Sequence, residues 1–148
     1  MNPPSEDIKD IITQSGGAGT FGANVFIRNE PSRPDDCVTI YDTGGFPADL
    51  ATDLYLPTVQ IRVRGRVGGY KTAWEKAKLI KDILHGIHNE VWNATRYLLI
   101  SAMGDILNIG KDDRGRPVFT LNLSTMRTSQ ILTFGDEELT FGEERIEF

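Results

Sequence analysis

Residues 59–67 read VQIRVRGRV, with arginine at 62, 64 and 66 and apolar residues at nearly every other place. Side chains on a strand point alternately to opposite faces. The pattern therefore predicts one apolar face and one face carrying three guanidinium groups. Arginines two apart stand about 7 Å from one another, near the phosphate spacing of a nucleic-acid strand. A guanidinium also pairs two-pronged with a carboxylate, which suits an interface between proteins. The plainest alternative is a solvated sheet face.

Other residues could do chemistry and are weighed in the same way. Ile40-Tyr41-Asp42-Thr43-Gly44 has the two-apolar-then-DTG form of aspartic proteases, in which two aspartates share a proton. Such a protease also needs a later apolar-apolar-Gly segment, and LNIG at 107–110 puts asparagine there. Asp42 as the cap of a turn, beside glycines with positive φ, is the simpler reading. His85 and His88 lie three apart beside Glu90, whereas helical metal pairs usually stand four apart. Cys37 sits within a predicted strand and reads as a small buried hydrophobe. GGAGTFG at 16–22 has neither a GK[ST] ending nor a preceding strand, so a phosphate loop is not expected. No catalytic constellation emerges, and neither a metal nor a cofactor is expected.

The elements that must position these residues follow from periodicity. Ser5, placed as a cap, precedes Ile8, Ile11 and Ile12 at helical spacing, and the helix ends near Ser15. Residues 23–29 and 37–43 read as strands, and GGFPADLATDLYLP at 44–57 as a long loop. The arginine strand ends at Gly68-Gly69. Tyr70, Ala73, Trp74, Ala77, Ile80, Leu84 and Ile87 make one apolar helix face over 70–87. Strands follow at 96–102 and 106–109, then a turn at 110–116 and a strand at 117–127. The expected fold is α+β, a mostly antiparallel sheet with helices packed on one face.

The chain has 148 residues, one cysteine and a net charge of -5. That length suits one domain with a core that needs no staples. The single cysteine suits a reducing compartment. No stretch approaches a membrane span, and MNPPSEDIKD is neither basic nor apolar, so no secretory leader is expected. The charge is uneven. Residues 1–127 balance to zero, and the last 21 residues hold Asp136, Glu137, Glu138, Glu143, Glu144 and Glu147 against Arg145. A single α+β domain over 1–127 followed by an acidic tail, or extra strands, over 128–148 is the expected organisation. A neutral body argues against a dedicated nucleic-acid binder. Within the tail, LTFGDE at 132–137 recurs as LTFGEE at 139–144. The tail's carboxylates meeting Arg62, Arg64 and Arg66 of another copy is the interface expected from these charges.

Several features in order resemble the tail terminator (minor capsid) family of long-tailed bacteriophages. They are the Gly44-Gly45-Phe46-Pro47 turn, Tyr55 and Pro57, the Val59–Gly65 strand, and a helix with Tyr70, Ala73, Ala77, Ile80, Leu84, His85 and Gly86. The resemblance covers about residues 37–90. It implies a tail-terminator-like α+β fold and a structural virion protein without enzymatic activity. Such proteins form rings, typically hexamers, that stop tail-tube polymerisation and join tail to head. The implied partners are further copies of the chain, the tail tube protein and the head–tail connector or stopper protein. Genomic DNA would pass through the lumen without sequence-specific binding, and no membrane is involved. The implied location is the tail–neck junction of the virion, after assembly in the host bacterial cytoplasm. Two alternatives stand beside it. One is another neck or connector protein; the other is a small nucleic-acid-binding module using Arg62, Arg64 and Arg66.

Overall fold

The computed structural model describes residues 1–15, 17–49 and 51–130. Helix α1 spans Pro4–Gln14. Proline suits a first helical position, where its missing N–H would have no partner anyway. Ile8, Ile11 and Ile12 are fully buried, as their spacing predicts. Ser5 is not the N-cap. It lies inside the first turn, buried, and both its backbone N–H and its hydroxyl donate to the Asp42 carboxylate, at 2.9 and 2.7 Å. The cap comes from a distant strand because Pro3, at the capping position, has no side-chain oxygen to supply it.

Strand β1 (Val25–Ile27) runs parallel to β2 (Cys37–Asp49), which pairs antiparallel with β3 (Leu54–Arg64). The expected loop at 44–57 is therefore mostly strand. Two register shifts, between Asp42 and Gly45 and between Phe46 and Asp49, admit the glycines and proline. Bulges at a sheet edge are where such residues are tolerated. Gly45 has φ 114°, and a Cβ there would meet the Leu56 carbonyl oxygen at 2.3 Å. Only glycine fits this crossing of the two strands.

Helix α2 spans Tyr70–Leu84 and buries Ala73, Ala77, Ile80 and Leu84. It comes close to the sheet because both sides are small: a Cβ on Gly65 would stand 2.8 Å from that of Ala73. The helix stops one turn earlier than expected. His85 is extended and Gly86 takes φ 93°, a position glycine favours just past a helix end. Ile87 belongs instead to a strand that sequence periodicity had merged with the helix, β4 (Ile87–Trp92). It forms a hairpin with β5 (Thr95–Ala102), pairing Ile87 with Ile100. Asn93 and Ala94, both at positive φ, make the two-residue turn. Strands β6 (Leu107–Lys111) and β7 (Pro117–Thr128) close the set.

The sheet order is β1-β2-β3-β7-β5-β4, and every pairing but β1–β2 is antiparallel. Strand β3 takes one edge of β7, while β6 and β5 share the other, opposite residues 117–120 and 123–128. Both helices cover one face, on Val38, Ile40, Val59, Ile61, Val63, Ile100, Phe119, Leu121 and Leu123. This is the expected α+β fold. Within it sits one polar cluster. Asp7 is fully buried and accepts hydrogen bonds from Asn93 Nδ2 (2.7 Å), the Tyr97 hydroxyl and Arg127 Nη1 (3.4 Å). Arg127 Nη1 also donates to the Asn2 carbonyl at 2.8 Å. Burial pushes the Asp7 carboxyl above the usual carboxylate range against the pull of these three donors. The Tyr97 hydroxyl is pushed far up, by burial first and then by Asp7.

Candidate assembly interface

Strand β3 puts Val59, Ile61 and Val63 in the core, so Arg62 and Arg64 point to the face away from the helices. Arg66 lies past the strand end, and the stripe holds two strand arginines rather than three. Across this face runs the segment 28–36, which links the parallel strands β1 and β2. Its backbone carbonyls need donors once they lie over the sheet. Arg64 supplies three: Nη2 to Pro31 O at 2.8 Å and to Pro34 O at 2.7 Å, and Nε to Asp35 O at 3.0 Å. Only 4% of Arg64 remains exposed. Arg62 pairs with Glu30 at 3.0 Å and Arg66 with Asp36 at 3.0 Å.

A fourth arginine joins them. Arg116, equally buried, donates to Ser32 O (2.8 Å), Asp35 Oδ1 (3.0 Å) and Asp112 Oδ2 (2.8 Å). The guanidinium fork, with five donors in one plane, can serve several carbonyls and a carboxylate together. Burial opposes ionisation of Asp112, but the Arg116 backbone N–H and guanidinium more than offset it and hold the carboxyl below its usual range. Sequence reading placed Arg116 in a turn and did not connect it to the stripe. Its pairing with Asp112 is local, but nothing in local spacing ties it to the stripe, since Asp35 and Ser32 are 81 and 84 residues away. Of the four, Arg66 is the one well exposed, its side chain at 71%.

The other expected interface residues, Asp136, Glu137, Glu138, Glu143 and Glu144, lie outside the described residues. The described chain nevertheless fixes where they depart. Strand β7 begins beside the arginines, where Gly65 N–H donates to Pro117 O. Its other end lies roughly 36 Å away, at 3.3 Å per residue. There Thr128 and Ser129 donate to Asp53 Oδ2, each at 3.2 Å. The described chain therefore ends, at Gln130, at the end of the sheet opposite Arg62, Arg64 and Arg66.

Beyond the pinned segment the outer face is open and mostly polar, with Asp105 and Arg96 as charged groups toward its margins. Thr43 and Thr58 share a hydrogen bond at 2.7 Å, Gln60 and Asn122 one at 3.2 Å, and Ser101 and Ser124 one at 3.0 Å. Leu99 (41% exposed) and Met126 pair across β5 and β7, and Leu107 (55%) lies opposite Thr120. Thr43, Thr58, Asn122, Leu107, Met103 and Asp105 line a shallow groove of about 390 Å³.

The remaining candidates are placed in structural roles. Asp42 caps α1 rather than a turn, and it faces the Ser5 backbone. His85 Nδ1 accepts the Ala102 N–H at 2.9 Å, while His88 Nδ1 stands 3.2 Å from the Gly86 carbonyl on the next strand. No group of three metal-binding side chains forms among the described residues. Cys37 is 3% exposed, and burial pushes its thiol pKa up. No helix among the described residues is long and apolar enough to cross a membrane.

The described residues form a small α+β body with Arg64 and Arg116 turned onto its own 28–36 segment and a polar-apolar sheet face left open. A family model for the bacteriophage tail terminator protein matches residues 10–128, and the chain belongs to that family. It is a structural protein of a phage tail. A chain from the virion of a native gene transfer agent particle shares the fold at TM-score 0.58 and 15% identity, over 72% of this chain and 80% of that one. A second solved chain, 18% identical over 86% of this chain and 93% of its own, superposes at TM-score 0.48. No curated protein matches at a significant level.

Proposed function

We propose that the protein closes into a ring, a hexamer, on the end of the tail tube. There it stops tube polymerisation and offers a docking face to the head–tail connector. A heterologous interface that closes needs two different surfaces on each copy. The observation that carries the reading is the separation of two such surfaces. The arginine end and the last described residues, from which the acidic segment continues, stand at opposite ends of β7, with the open sheet face between them. Carboxylates of one copy, drawn from Asp136, Glu137, Glu138, Glu143 and Glu144, then reach the arginine end of the next. Because Arg64 is internally engaged, Arg66 and the outer side of Arg62 make that contact. Genomic DNA passes through the lumen, and the ring sits at the tail–neck junction.

The test is solution mass by light scattering, with and without tube protein, across a salt series. Ring-sized mass on the tube, capped tube growth and weakening with salt are expected. Tube growth unaffected by the protein, or assembly indifferent both to salt and to deletion of residues 131–148, overturns it. A different neck position is separated by labelled particle images. The nucleic-acid reading finds its guanidinium groups already committed to Glu30, Asp36 and loop carbonyls. Steep salt-dependent DNA binding that Arg62→Ala, Arg64→Ala, Arg66→Ala abolishes would restore it.

A further inference from the structure

The tail repeat has no role in the fold so far, and the point of departure of the chain offers one. Gln130 borders an open groove of about 430 Å³, together with Leu54, Leu98, Arg96 and Asp49. Leu98 is 36% exposed although it belongs to a sheet strand. Arg96 donates from Nη1 to Asn89 Oδ1, and its Nε is buried without a partner among the described residues. A buried donor left unpaired carries a real cost. The bonds from Thr128 and Ser129 to Asp53 hold the departing chain at this groove. The next residues are Leu132, Phe134 and then Asp136, Glu137 and Glu138, two apolar side chains followed by carboxylates.

We propose that the first repeat, residues 131–138, docks into this groove of its own chain. Leu132 and Phe134 cover Leu54 and Leu98, and a following carboxylate accepts from Arg96. Leu132 is two residues past Gln130, within roughly 7 Å of extended chain, so the groove of the same copy is the nearest available. The apolar pair anchors the segment, and Asp49 at the margin sets the carboxylates toward Arg96. The second repeat, from Leu139, stays free with Glu143 and Glu144. Its ten residues reach at most about 33 Å, which narrows the part able to meet a neighbour. Docking in cis holds whether or not copies form a ring.

Disulfide trapping tests it in a Cys37→Ser background. Leu98→Cys with Phe134→Cys should oxidise to a cross-linked monomer, at least tenfold faster than Leu98→Cys with Phe141→Cys, and Arg96→Ala should narrow that ratio. Thr52→Cys in place of Leu98→Cys repeats the measurement should the first pair disturb folding, which circular dichroism reports. A ratio near the roughly fivefold that tether length alone gives indicates an unanchored chain and overturns the proposal. Dimers that rise with concentration indicate docking on a neighbour and overturn it equally.

Discussion

The arginine end and the Asp7 cluster both set guanidinium groups against carboxylates, yet they stand in different solvents. Around Arg64 and Arg116 the partners are mainly carbonyls of one surface segment, and water is close by. Around Asp7 a fully buried carboxylate faces Arg127, Tyr97 and Asn93 in the interior, with Asp10 sharing Asn93 from the margin. A surface segment that loses its arginine can turn its carbonyls to water. A buried carboxylate that loses its guanidinium has nothing to replace it. The first cluster therefore fixes a local shape, while the second joins α1, the β4–β5 turn and β7 into one body.

The largest effect should come from Arg127→Leu, which strands Asp7 without its cation. Removing one partner of a buried pair costs about 3–5 kcal/mol, read as a fall in denaturant midpoint with an unchanged slope. A loss below about 1 kcal/mol would show that Asp7 is held neutral and would erase the contrast. Arg64→Ala should cost less, about 2 kcal/mol for its charge-assisted bonds net of hydration. Its signature is local: faster proteolysis within 28–36, with the core transition otherwise intact. Global loss equal to that of Arg127→Leu would break the comparison from the other side.

The smallest effect concerns pH, and its sign differs between the clusters. Asp112 is held below its usual range, so its stabilisation is present above the unfolded carboxylate value and is lost as pH falls through the folded one. Asp7 is raised, so its ionisation weighs against the folded state, and its contribution declines as pH rises from the unfolded value through the folded one. Asp112→Asn should flatten the acid limb of a stability–pH curve, and Asp7→Asn should steepen it. Carboxyl carbon chemical shifts give the same ordering directly, with Asp112 titrating first on a rising pH scale. The reverse order would contradict both assignments.

Much of this was legible in order along the chain. Ile8, Ile11 and Ile12, the apolar face of α2, and the alternation of Phe119, Leu121 and Leu123 each report local periodicity, and each lies in the core. The motif run from Gly44 to Gly86 was enough to indicate the family. What was not legible depends on partners far apart. Asp42 looked like a turn residue or a catalytic one, because its partner Ser5 is 37 residues away. The 44–57 stretch looked like a loop, because Gly and Pro usually break strands and the bulges that admit them form only against Leu56 and Pro57. Strand β4 was hidden because His88, Asn89 and Glu90 face water and Ile87 fits the helical period by coincidence.

By itself the sequence determined the element types outside 44–57 and 87–92, the apolar faces, the alternation that aims Arg62 and Arg64 away from the core, and the acidic balance of the last residues. These depend on neighbours within a few positions, where bond geometry sets which side chains share a face. The tertiary structure alone decided what the arginines hold, which carboxylate caps α1, and that the described chain ends at the far end of the sheet. Those outcomes depend on which strands pair and in what register. Register is set by burial across the whole sheet rather than by any local stretch.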